Sequence, residues 1–241
     1  MSNLAFERTR KSSAPLNLNA RHQNNQVPPR AQPNIQVHLL SLLRLLFALL
    51  TLSAIGWQLS IHVKLGFSVV NFFSFFTNVS NLLAAAVLLL GAQGFFVSRQ
   101  RLYASTRVRY ISAVNMAVVG IVFAVLLRDV DLGSLLPWVN FVLHYIMPCV
   151  ALLDWLLAPP SRRLRSADLL SALIFPVLYL AYVVVRGHSM GWYPYPFLNP
   201  ATVGSYGIVA LYSLGIALTF VAVGGSLLFL GNQIGKSQHG V

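Results

Sequence analysis

A chain of 241 residues that is 56% apolar and only 9% charged cannot coat a globule of its size with polar side chains, so most of it is solvated by lipid. The formal net charge of +12 would suit nucleic acid in a soluble protein, but the arginines are split among short loops with no aromatic platform between them, which argues against that partner. Cys149 is the only cysteine, which excludes an internal disulfide and any thiolate metal cluster.

Residues 1–38 carry Asn, Gln, Ser and Pro with few large apolar side chains, and are read as a disordered basic tail in the cytoplasm. The polar lead is too long and the following apolar run too complete for a secretory signal. A bilayer is crossed by about 20 apolar helical residues, because every backbone polar group must be bonded within the segment. Six stretches satisfy this between residues 39 and 230. The first covers approximately 39–61 and holds Arg44 near its inner end.

The second stretch, 72–94, contains FFSFFTNVSNLL. Just before and within it, Asn71, Ser74, Thr77, Asn78 and Asn81 recur at steps of three and four and form a polar stripe on one helix face. Such a stripe faces protein or water: it glues helices together or lines a site. The third stretch, 110–127, is short, and a loop with Asp129 and Asp131 follows it.

The fourth, 137–158, opens PWVNFVLHYIMPC and places Asn140 and His144 one above the other on one face. Asp154 lies farther along the same stretch, about 15 Å from His144 at 1.5 Å per residue, too far to orient the imidazole. Asp154 and Arg44 either pair or snorkel separately to the interface. The fifth stretch, 169–185, is also short.

The loop RGHSMGWYPYPFLNP follows. Its Trp192, Tyr193 and Tyr195 form an interfacial aromatic belt by default, with a rigid lid over the site as the competing reading. The sixth stretch is 206–230, and residues 231–241 read as a short polar cytoplasmic tail. The fold class is therefore all-α, a polytopic membrane bundle of six transmembrane helices.

Charge fixes the expected orientation. Arg8, Arg10, Lys11, Arg21 and Arg30 precede the first helix, while Arg99, Arg101, Arg107 and Arg109 lie between the second and third. Arg162, Arg163 and Arg165 lie between the fourth and fifth, and Lys236 follows the sixth. The alternate loops hold only Lys64, Arg128 and Arg186. The positive-inside rule then puts both termini in the cytoplasm.

In that topology the second and fourth helices both descend from the outer surface. Thr77 and His144 then lie at nearly equal depth, roughly 8 and 10 Å below it. A weak alcohol nucleophile needs an adjacent base to take its proton as it attacks, and an imidazole at the same depth supplies one. Asn78, Asn81 and Asn140 are the candidates to line the polar pocket and stabilise an oxyanion. His62, His144 and His188 show no metal-ligand spacing, so no metal and no cofactor are expected.

The segments NFFSFFTNVSNLLAA, WVNFVLHYIMP, LLDWLL and GWYPYPFLNP carry a resemblance. Over approximately residues 38–230 the chain resembles bacterial six-pass proteins related to the androgen-induced protein family of membrane threonine hydrolases. The animal members of that family cleave fatty-acid esters of hydroxy fatty acids. The resemblance implies Thr77 as nucleophile, His144 as its base, a lipid or fatty-acid ester as substrate and the bacterial inner membrane as location. The FFTNVSNLL segment and the aromatic loop belong to the bacterial branch, so ester hydrolysis carries over more safely than the particular lipid. The alternative is a non-enzymatic membrane protein, a small transporter or a lipid-binding scaffold, in which the polar stripe lines a passage or joins helices.

Overall fold

The structure is a computed structural model that describes residues 35–93, 105–131 and 133–239. The tail up to residue 34, together with Arg99 and Arg101, lies outside the described residues. Helix α1 spans Ile35–Lys64, short α2 spans Val69–Phe73, and α3 spans Phe76–Ala92. Helix α4, Thr106–Val122, continues through a π-helical segment, Phe123–Leu127. Helix α5, Pro137–Phe141, passes through a second π segment, Val142–Ile146, into α6, Met147–Leu157. Then come α7, Ser166–Met190, a 3-10 turn at Pro196–Leu198, α8, Pro200–Val203, and α9, Tyr206–His239.

Five of these helices are long and apolar enough to cross a membrane: Ile35–Lys64, Thr106–Leu127, Pro137–Leu157, Ser166–Met190 and Tyr206–Lys236. The expected second span is a shorter apolar helix, Phe76–Ala92, separated from α2 by a break at Ser74 and Phe75. The fifth is not short. The charges that flank residues 169–185 are both partnered: Asp168 receives Arg107 and Arg162, and Arg186 donates to Asn71 at 2.7 Å. The helix therefore runs on through both, with Pro176 inside it, and Gly191 ends it in the left-handed conformation. The last helix likewise continues through the stretch read as a tail, as far as His239.

Helix α4 is the centre of the bundle and packs on α3, α6, α7 and α9. Helix α1 packs chiefly on α3, and its buried positions Ser41, Arg44, Ala48, Thr51, Ile55 and Gln58 alternate steps of three and four and so form one stripe. Outward-facing α7 and α9 are mostly exposed aliphatic surface, as expected of helices against lipid.

One end of the bundle holds a buried ionic node. Arg44 Nε donates to Asp154 Oδ1 at 2.5 Å, and Arg109 Nη2 donates to Asp154 Oδ2 at 3.2 Å. Arg109 also donates to the Ala158 carbonyl at 2.7 Å. Gly91 leaves room for the Arg44 side chain: a β-carbon there would lie 3.0 Å from Arg44 Cδ. The pairing alternative for Arg44 and Asp154 is therefore the one realised, with Arg109 as a third member and Asp154 well separated from His144.

Candidate active site

The break between α2 and α3 builds the site. In FFSFF nothing but Ser74 interrupts the apolar run, yet Phe75 adopts an extended conformation with ψ 124° and caps α3 from outside. Side chains take over the backbone groups that the break releases. Asn78 Nδ2 donates to the Phe72 carbonyl at 2.7 Å, and Tyr179 of α7 donates to the Ser74 carbonyl at 2.8 Å. Ser74 Oγ donates to the Val70 carbonyl at 2.7 Å and lies 2.8 Å from the Tyr182 hydroxyl. Irregular backbone at such depth is tolerated where it is buried in protein or lines a cavity, and here it does both.

Thr77 consequently sits in the first turn of α3, at the positive end of the helix dipole, where its amide has no acceptor within the helix. Its own N–H donates to the Tyr195 phenol oxygen at 3.2 Å. Its Oγ1 lies 3.3 Å from His144 Nε2 and 3.4 Å from Tyr195 Oη. The first distance is at the loose end of hydrogen bonding, as is usual for catalytic contacts before substrate binds.

His144 projects from the second π segment, whose wider turn re-aims side chains and recurs at functional sites. Its Nδ1 lies 3.2 Å from the Asn140 carbonyl oxygen. A carbonyl can only accept, so Nδ1 carries the proton and Nε2 presents its lone pair to Thr77. The ring also stacks on Phe123, with centroids 4.1 Å apart and planes 25° apart, at the start of the first π segment. Burial pushes the Tyr195 phenol above its ordinary value, so it keeps its proton and has it to donate. The chain of donors runs from Tyr195 O–H to Thr77 Oγ1, from Thr77 O–H to His144 Nε2, and from His144 Nδ1–H to Asn140.

The other residues singled out from sequence fall in different places. Asn78 lines the cavity beside Thr77 and retains a second amide hydrogen beyond the one given to Phe72. Asn81 is fully buried and its amide donates to the Thr77 carbonyl at 2.9 Å and to the Leu143 carbonyl at 3.2 Å. Both its hydrogens are used, so it ties α3 to the second π segment and has none left for a further acceptor. Asn140 meets His144 through its backbone carbonyl and not through its amide. His62 lies 3.0 Å from the Ser68 carbonyl and His188 lies 3.1 Å from the Tyr206 hydroxyl, each on a partner of its own.

Thr77 and Tyr195 lie where two cavities meet. A vestibule of about 570 Å³ carries Gln58, His62, Asn71, Asn78, Asp131 and His144 among aromatic and aliphatic side chains such as Phe72, Phe75, Leu143 and Trp192. A second cavity of about 120 Å³ runs between α4, α7 and α9 and is apolar apart from a few hydroxyls: Val118, Leu173, Val177, Ala217 and Phe220 form much of its wall.

The sequence gives no signal for Tyr179 or for the break itself, and it marks Tyr195 only as part of an aromatic belt or a lid. The only signal for Tyr195 was the YPYPF run, and its belt reading fails for this residue: Tyr195, Phe197 and Leu198 are buried, and Tyr195 stacks on Phe197 at 5.2 Å with planes 5° apart. The loop folds back into the bundle and roofs the site. Trp192 stands edge-on to Phe75 at 5.8 Å, so the roof rests on the break.

Compared with known families, the chain matches the one described as FAR-17a/AIG1-like protein over residues 43–229, which bears out the resemblance drawn from its sequence. No curated protein and no solved structure matches it.

Proposed function

The chain belongs to the FAR-17a/AIG1-like family of membrane proteins, and from that premise and the site's geometry we propose that it is an intramembrane threonine hydrolase that cleaves lipid esters. The observation that carries this reading is a threonine hydroxyl 3.3 Å from an imidazole nitrogen of fixed tautomer, at the junction of a partly polar and an apolar cavity. A packing role for either residue alone accounts for neither the junction nor the tautomer.

In the proposed reaction the acyl chain lies in the apolar cavity and the alcohol portion in the vestibule. Thr77 Oγ1 attacks the ester carbonyl carbon while His144 Nε2 takes its proton. Negative charge on the carbonyl oxygen is met by the free amide hydrogen of Asn78 and by the positive end of α3. As the intermediate collapses, the C–O bond to the alcohol breaks and His144 returns the proton to the departing oxygen. Water from the vestibule, deprotonated by His144, then cleaves the acyl-threonine and regenerates Thr77. The net reaction converts ester and water to fatty acid and alcohol. The Asn140 carbonyl does the orienting that a carboxylate performs in serine enzymes, holding the ring with Nε2 unprotonated.

The positive-inside rule supports placing the end with Arg107, Arg109, Arg162, Arg163 and Arg165 in the cytoplasm and the vestibule on the opposite face. The bacterial character of the motifs supports the inner membrane as the location.

The reading is tested by incubating purified protein in mild detergent with fatty-acid esters of graded acyl length and measuring released acid. Turnover above the no-protein blank is expected for at least one long-chain ester. No turnover at any length would leave the non-enzymatic scaffold as the better account. Tyr195→Phe, which removes the donor to Thr77 but keeps the ring stack, is expected to lower kcat about tenfold, the effect of roughly one hydrogen bond, and to lower the thermal midpoint by a few degrees, because the buried Thr77 N–H loses its acceptor. An undiminished kcat would remove Tyr195 from the relay.

A further inference from the structure

We propose that the acyl chain of the substrate reaches Thr77 sideways from the lipid, through a crevice between the first π segment and α9. The proposal rests on the hydrolase reading above and adds a route. The crevice has a volume of about 520 Å³ and is lined by Ile121, Val125 and Leu126 on one side and Leu211 and Gly215 on the other. Its outer lips face outward: Val125 is 73% exposed and Leu211 68%. The crevice lies within two helices long and apolar enough to cross a membrane, so hydrocarbon is its natural occupant. Thr219, one of its few polar groups, spends its hydroxyl on the Gly215 carbonyl at 2.9 Å.

Continuity with the site makes this crevice a route. Val122 and Ile216 line both the crevice and the apolar cavity that ends at Thr77. These two aliphatic side chains therefore form shared wall between the crevice and the cavity, and rotamer changes at those positions open it. The two helices are joined elsewhere along their length, where the buried Tyr110 hydroxyl donates to the Gly224 carbonyl at 2.7 Å.

Gly215 gives a clean test, since a β-carbon there meets no atom within 4 Å and it lines the crevice without lining the cavity. Gly215→Trp fills the crevice, and Leu153→Trp, on exposed α6 surface, is the control. Hydrolysis of a long-chain ester embedded in phosphatidylcholine vesicles is compared with that of a short, water-soluble ester. The long-to-short rate ratio is expected to fall at least tenfold in Gly215→Trp and to stay at the wild-type value in Leu153→Trp. In parallel, Thr77→Ala protein in the same vesicles is irradiated with an ester carrying a diazirine on its acyl chain, and adducts are mapped. Adducts at Val122 or Ile216 that vanish when Gly215→Trp is added support the route whatever the catalytic outcome. An unchanged rate ratio, or adducts confined to the vestibule, overturns the route while leaving the hydrolase intact. Absence of hydrolysis of either ester by the wild type, with crevice adducts retained, overturns the hydrolase and supports the route.

Discussion

Replacing Thr77 by alanine is expected to abolish labelling by a fluorophosphonate probe and to lower kcat by about six orders of magnitude, the cost of losing an activated nucleophile in serine enzymes. The protein should still fold. The hydroxyl's contacts are His144 and Tyr195, and the backbone bond from Thr77 N–H to Tyr195 survives the change. Thr77→Ser keeps the oxygen and should keep labelling. His144→Ala should cost about as much as Thr77→Ala, and the double variant little more, because the two groups act as one unit. Costs that add in the double variant would mean that the residues work separately and that the relay is wrong.

The second large effect is on stability. Asp154→Ala strands Arg44 and Arg109, which converge on that carboxylate with side chains only 6% and 12% exposed. Removing one partner from a buried ionic cluster costs about 3 to 5 kcal/mol, because the remaining charge keeps its desolvation penalty without the attraction that offset it. At roughly 2 to 4 °C per kcal/mol for a chain of this size, the thermal midpoint in detergent should drop by on the order of 10 °C. Arg44→Met in the Asp154→Ala background should recover part of the loss, since it removes one stranded cation. A midpoint within a degree of wild type for Asp154→Ala would show that the node contributes nothing to the fold.

These two sites differ in how much of them could be read from sequence. The long helices were legible because lipid demands unbroken apolar runs, and the match over residues 43–229 bears out the family resemblance. Thr77 and His144 were singled out by depth, a coordinate that membrane helices supply and soluble ones do not. The break at Ser74 and Phe75 was not legible, because it carries no proline or glycine. It is stabilised by Tyr179 and Tyr182 of α7, more than a hundred residues later. The π segments left no signal for the same reason: packing of Phe123 on His144, and not local propensity, accompanies them. Asn78, Asn81 and Asn140 were grouped by residue type as oxyanion donors. Their distinct duties depend on which carbonyls lie opposite, and only tertiary structure sets that.

The aromatic loop follows the default belt reading only in part, and Tyr195 follows the competing one, a lid over the site. Trp, Tyr and Pro in alternation suit a membrane interface, and Trp192 and Tyr193 keep partial exposure there. Tyr195 is drawn inward because the break in the second apolar segment frees the Thr77 amide to donate to it. One unforeseen feature therefore explains the other. The loop's position is further held by Gly187, over which the Tyr193 ring sits where a β-carbon would be.

The most direct test of the central claim is to identify the residue that carries the probe. Wild-type protein treated with a fluorophosphonate, digested and analysed by tandem mass spectrometry should carry the phosphonyl group on Thr77 and on no other hydroxyl. A catalytically active preparation that is labelled elsewhere, or turns over ester while Thr77 stays unmodified under saturating probe, would contradict the assignment of Thr77 as nucleophile.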